Sequence, residues 1–127
     1  MSSDYNGKRT SKSSGVLHSF RYALQGIIHA FLKERNMKIH VVISILVMIV
    51  GMAVKLTPME WLFIVFAIGG VITLELLNTA IERLVDLVTP DFHPLAKQAK
   101  DVSAGAVLIF SIVAVIIGLI IFIPKIF

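Results

Sequence analysis

The chain has 127 residues, 57% of them hydrophobic and 16% charged, with a formal net charge of +4 and no cysteine. That apolar content exceeds the usual range for a soluble domain and reads as one small unit embedded in a membrane. The missing cysteine excludes disulfides, thiolate metal sites and thiol nucleophiles, and the basic excess suits an anionic membrane leaflet, which makes nucleic-acid binding a poor reading.

Residues 1–15 (MSSDYNGKRTSKSSG) are polar and basic, carry no secretory signal pattern and are expected to form a disordered cytoplasmic tail. Residues 16–127 are expected to form the membrane domain. From Val16 to about residue 33, Leu17, Phe20, Leu24, Ile27, Ile28 and Phe31 recur at three- and four-residue intervals, which predicts an amphipathic helix on the membrane surface. Three apolar runs follow, at 37–54, 61–81 and 102–123, each close to the roughly 20 residues that cross the hydrocarbon core. Thr57-Pro58 breaks the first connection, with Trp61 placed as an interfacial anchor, and Thr89-Pro90 with Pro94 breaks the second. The fold class is therefore all-α integral membrane, with a surface helix and three transmembrane helices.

Charge orients this arrangement. Lys8, Arg9, Lys12, Arg21, Lys33, Arg35 and Lys38 cluster up to the start of the first span, and Arg83, Lys97 and Lys100 lie between the second and third. The opposite side has only Lys55 and Lys125. By the positive-inside rule the N-terminus is cytoplasmic and the C-terminus outside.

Within LELLNTAIERLVD, at the end of the second span, stand Glu75, Asn78, Glu82 and Asp86. An advance of about 100° per residue puts all four on one helix face. An acidic side chain at the centre of a membrane helix costs roughly 2.5–3.5 kcal/mol on insertion scales, so this stripe needs a partner, and a cation is the obvious one. The chain has no GxxxxGK[ST] loop and no GxGxxG, so it has no glycine-rich phosphate cradle. An acidic stripe beside the cytosolic boundary suits Mg²⁺, which commonly bridges one or two carboxylates to substrate phosphates. Glu34 and Glu82 are the candidate pair.

ELLNTAIERLVD, followed by AKDVSAGAVL and preceded by GIIHAFLKERNMKIH, resembles the small prokaryotic diacylglycerol kinase family, over about residues 20–123. KERNMKIH is more similar to its Gram-positive, undecaprenol-phosphorylating branch. The resemblance implies a homotrimeric bundle of three-span protomers with sites shared between them, transferring the γ-phosphate of ATP to a lipid hydroxyl with Mg²⁺. It implies undecaprenol as substrate, with diacylglycerol as the alternative. It makes Glu75 the catalytic base and Glu34 and Glu82 the metal-binding residues, and it has Asn78 help hold the phosphate and metal network. Tyr22, Asp91, Phe92, His93, Lys100 and Asp101 fall on nucleotide-contacting positions, and Asp86 on an acidic position of less defined role. One departure stands out: where some members carry an N-terminal arginine that reaches the nucleotide, this chain has Gly15, so that role is missing or taken by Arg21.

Bland readings stand beside these. Glu75 and Asn78 can serve as interhelical hydrogen-bond glue, Glu34 as a solvated charge, and Lys100 and Asp101 as charges at a helix start. His40 reads as a boundary or packing residue rather than a ligand. A small oligomeric proton-coupled transporter, or a regulatory membrane peptide, would also tolerate intramembrane carboxylates. Neither explains a metal-competent pair, a Lys-Asp pair and a surface helix together.

Overall fold

The computed structural model describes residues 12–127, and in them the backbone forms four α-helices: α1 (Lys12–Lys33), α2 (Arg35–Ala53), α3 (Pro58–Val88) and α4 (Pro94–Ile126). The last three are long and apolar enough to cross a membrane, which makes this a multi-pass membrane protein. Residues 1–11 of the expected tail lie outside the described residues. Residues 12–15, also expected in the tail, instead form the first turn of α1. Hydrophobic periodicity cannot register a polar turn, and Ser19 returns its hydroxyl to the Gly15 carbonyl at 3.0 Å, as within any helix.

The spanning helices outrun their apolar runs. α3, expected over 61–81, begins at Pro58 and continues to Val88. α4, expected from 102, begins at Pro94. At about 1.5 Å per residue, α3 is roughly 46 Å long, well beyond a hydrocarbon core of about 30 Å. Hydropathy ends where ERLVD begins, but the backbone hydrogen bonds do not, because Glu, Arg and Leu are good helix formers.

Each start has a local cause. Thr57 caps α3 through a capping box: its hydroxyl accepts from the Glu60 amide, and the Glu60 carboxylate accepts from the Thr57 amide at 2.8 Å. Pro58 occupies the first helical turn, where a missing N–H costs nothing. His93 caps α4, its Nδ1 accepting from the Leu95 amide at 3.1 Å. Between α1 and α2 only Glu34 leaves helical geometry, with extended φ −97° and ψ 120°. No Gly or Pro marks this break. Ala30 and Met37 on either side of it are both buried.

The core is thin and organised by α3. Its buried residues Ile64, Ala67, Val71, Glu75, Asn78 and Thr79 trace one seam at three- and four-residue spacing. α3 and α4 share the most extensive interface, and α2 packs more lightly on α3. At one end, Leu56, Ile64 and Ile121 form the apolar centre, with Trp61, expected as an interfacial anchor, packed against them. There Glu60 also pairs with Lys125 at 3.0 Å, tying the end of α4 to the start of α3. Most large apolar side chains elsewhere, such as Leu17, Leu46, Phe66 and Ile109, remain exposed on the protomer, as befits a chain solvated by lipid.

Gly70 sets the approach of α3 to α4. A Cβ added there would fall on the ring of Phe110, so the ring occupies the space a side chain would need. Gly70→Ala should destabilise the protein by about 1–3 kcal/mol through overpacking, and Phe110→Leu in the same chain should recover part of the loss. Unfolding midpoints in detergent micelles check both.

Candidate active site

The α3 seam changes character halfway along. Ile64, Ala67 and Val71 are apolar, and the next inward positions, Glu75, Asn78 and Thr79, are polar and still buried. Glu75 is 3% exposed. Its nearest basic neighbour is His40 of α2, whose Nε2 lies 3.8 Å from Oε2 and which is itself 22% exposed. His40, read as a boundary residue in the sequence, thus faces the carboxylate that most needs a partner. A signal of this kind is absent from sequence, because it depends on how α2 docks on α3.

One turn on, Asn78 Nδ2 donates to Glu82 Oε1 at 3.2 Å. Asn78 Oδ1 is buried without a partner, as is the neighbouring Thr79 hydroxyl. Glu34, half-buried at the break between α1 and α2, accepts from Arg83 Nη2 at 3.0 Å. Glu82 lies two turns beyond Glu75 on α3, and Glu34 is joined to the same end of α3 through Arg83. Three carboxylates from two parts of the chain therefore share one region.

This donor set fits a hard divalent cation. Carboxylates of Glu34 and Glu82 are accessible oxygen ligands, and the orphaned Asn78 amide oxygen beside Glu82 is a further hard acceptor. Among the described residues, no three His, Asp or Glu side chains converge to enclose a metal by themselves. An ion here would complete its shell with water or with a ligand's oxygens, the usual habit of Mg²⁺.

Two grooves flank the carboxylates. The first, between α1 and α3, is lined by Tyr22, Gly26, His29, Thr79 and Arg83. The second, at the connection of α3 and α4, is lined by Asp86, Asp91, Phe92, His93, Lys97 and Lys100. Asp86 and Lys100 form an ion pair across it, which gives Asp86 a defined contact. Asp101 does not join this groove: it pairs with Lys97 one turn earlier on α4. His93 commits Nδ1 to the α4 cap, leaving Nε2 for any ligand.

A third, apolar crevice of about 260 Å³ lies between α2, α3 and α4, lined by Val47, Ile64, Ile68, Val71 and Val115, with His40 also on its wall. His40 therefore touches both the crevice and Glu75. A long apolar molecule in the crevice could place a polar head beside the buried carboxylate.

The sequence model of the prokaryotic diacylglycerol kinase family matches residues 21–122, which include every one of these groups. The chain belongs to this family. It is 50% identical over 107 residues to the undecaprenol kinase of Bacillus subtilis (strain 168), covering 84% of this chain and 87% of that protein. A diacylglycerol kinase of Synechocystis sp. is 43% identical over 104 residues, 81% of this chain and 59% of that protein. The diacylglycerol kinase of Escherichia coli (strain K12) is 28% identical over 107 residues, 84% of this chain and 88% of that protein. Membership makes the chain a lipid kinase and sets aside the transporter and regulatory-peptide readings.

The Asp86–Lys100 pair is partly exposed on both sides. In this kinase, Asp86→Asn should shift stability by less than about 1 kcal/mol, the usual scale of such pairs. Thermal unfolding in micelles checks this, and a larger loss would make the pair a structural staple between α3 and α4.

Proposed function

We propose that this chain is an integral-membrane kinase that transfers the γ-phosphate of ATP to the hydroxyl of undecaprenol, giving undecaprenyl phosphate and ADP. The single observation that carries the chemistry is the placement of Glu75: a buried carboxylate one turn beyond Val71 and 3.8 Å from His40, both of which line the apolar crevice. The choice of lipid rests on the 50% identity to an undecaprenol kinase.

In this mechanism the polyprenyl tail lies against the crevice walls and brings its hydroxyl to Glu75. The hydroxyl oxygen attacks the γ-phosphorus, its proton passes to the Glu75 carboxylate, and the bond to the ADP oxygen breaks. His40, 3.8 Å from Glu75, would offset its charge when protonated. Asn78 holds Glu82 in place, and Glu34 and Glu82 would hold Mg²⁺. When bound, Mg²⁺ supplies positive charge that offsets the charge of the phosphates. Tyr22 borders the α1–α3 groove, and Asp91, Phe92, His93 and Lys100 border the α3–α4 groove, so the two grooves take the nucleotide from either side. Lys100 would act as a point charge toward phosphate once it leaves Asp86. Asp101 is proposed as a nucleotide contact on the family resemblance, which requires it to leave Lys97.

The N-terminus is cytoplasmic and the C-terminus outside, supported by the lysines and arginines that crowd the polar end. α1 lies on the membrane surface, supported by its exposed Leu17, Phe20, Leu24 and Ile28. Protomers associate as homotrimers with shared sites. Support comes from the wide apolar exposure and from buried polar atoms left without partners, such as Asn78 Oδ1 and Thr79 Oγ1.

Purified protein in mixed micelles, given Mg²⁺ and γ-labelled ATP, should phosphorylate undecaprenol faster than diacylglycerol presented in parallel. Preference for diacylglycerol would reverse the substrate assignment, and labelling of neither would refute the kinase reading. Glu75→Gln should lower turnover by roughly 10²–10⁴-fold, the usual contribution of a general base, with nucleotide binding by calorimetry near wild type. A variant that kept most of its turnover would remove Glu75 from the role of base.

A further inference from the structure

Arg83 is singled out by neither periodicity nor the family resemblance, yet the fold puts its guanidinium between the carboxylates and a groove. It follows Glu82 by one residue, which turns it about 100° around α3, off the seam and toward α1. There its Nη2 donates to Glu34 Oε1 at 3.0 Å, joining positions 49 residues apart. The same side chain walls the α1–α3 groove together with Tyr22, Gln25, Gly26, His29 and Thr79.

The simplest account is an exposed clamp on the bend between α1 and α2, since the pair is 45% and 30% exposed. Two features ask for more. Glu34 has a carboxylate suited to a cation, and Arg83 now occupies one of its oxygens. A divalent cation on the other oxygen of Glu34 would repel the guanidinium across the carboxylate and weaken the pair. A second anion beside Arg83 would then compete for it, since its pair with Glu34 is its single ion pair among the described residues. The second feature is chemical: the planar fork of arginine matches phosphate oxygens in bidentate fashion, and the groove beside it is open to a ligand.

We propose that Arg83 is a polyphosphate ligand held in reserve by Glu34. When nucleotide binds, the guanidinium exchanges the Glu34 carboxylate for phosphate oxygens, and the released carboxylate becomes available to the accompanying cation. Arg83 thereby couples cation binding to phosphate binding. This rests on the reading of the grooves as a nucleotide site.

The test measures equilibrium binding by calorimetry on the full-length protein in micelles. Adenosine, ADP and β,γ-methylene-ATP are titrated into wild type, Arg83→Ala and Arg83→Lys, each with and without Mg²⁺. Arg83→Ala should weaken β,γ-methylene-ATP by roughly 10–100-fold, the worth of one or two charge-assisted hydrogen bonds, and leave adenosine binding nearly unchanged. Arg83→Lys, which keeps the charge and loses the fork, should fall between. The gain in triphosphate affinity on adding Mg²⁺ should shrink in Arg83→Ala. Triphosphate binding by Arg83→Ala at the wild-type level would overturn the proposal and leave the kinase reading standing, as would equal losses for adenosine and triphosphate. Wild type that binds no nucleotide under either condition would overturn both. If Arg83→Ala fails to fold, Arg83→Lys decides by the same comparison of triphosphate with adenosine.

Discussion

A carboxylate buried on the inner seam of α3 is the constraint on which the rest of the structure depends. Glu75 continues the line of Ile64, Ala67 and Val71 and is as buried as they are. An ionised group so placed has lost its water and must be compensated by the protein or by a ligand. The basic side chain nearest to it comes from a neighbouring helix, His40 at 3.8 Å, so α2 contributes to the site although it packs lightly on the bundle. α3 and α4 approach closely at Gly70 and Phe110, next to the seam residue Val71.

The chemistry gathers at breaks between helices. Glu34 is the one extended residue between α1 and α2, and the stretch from Thr89 to His93 is the turn between α3 and α4. Both breaks lie toward the polar end of α3, where they add a carboxylate, two grooves and an ion pair to the residues of the seam. The opposite end of the bundle is organised for stability. There the Thr57 capping box, the Glu60–Lys125 pair and the Leu56 cluster close the hairpin between α2 and α3 against the end of α4. The polar end carries unmet demand in Asn78 Oδ1 and Thr79 Oγ1, and among the described residues the remaining buried atom without a partner is Ser111 Oγ of α4, on a residue of the crevice wall.

Much of the fold was legible because lipid imposes long apolar runs, and three of them stand out in the chain. Boundaries were less legible. The run at 61–81 marks where α3 is apolar, whereas the helix itself extends from the Thr57 cap to Val88. A helix stops when its hydrogen bonds stop, and a change of polarity does not stop them. The Lys100–Asp101 neighbours show the same limit in the site. Adjacent in sequence, they point about 100° apart on a helix, and each finds its own partner, Asp86 for Lys100 and Lys97 for Asp101.

By itself the sequence determined the class, the number of spanning helices, the shared face of Glu75, Asn78, Glu82 and Asp86, and the family. All of these follow from composition, periodicity along one helix, or motif. Only the tertiary structure decided who meets whom: His40 with Glu75, Arg83 with Glu34, Lys100 with Asp86. Periodicity fixes the direction of a side chain relative to its own helix axis, but contact across helices also depends on crossing angle, depth and rotation. Those are set by packing, at places such as Gly70 against Phe110 and Ala30 and Met37 around the Glu34 bend.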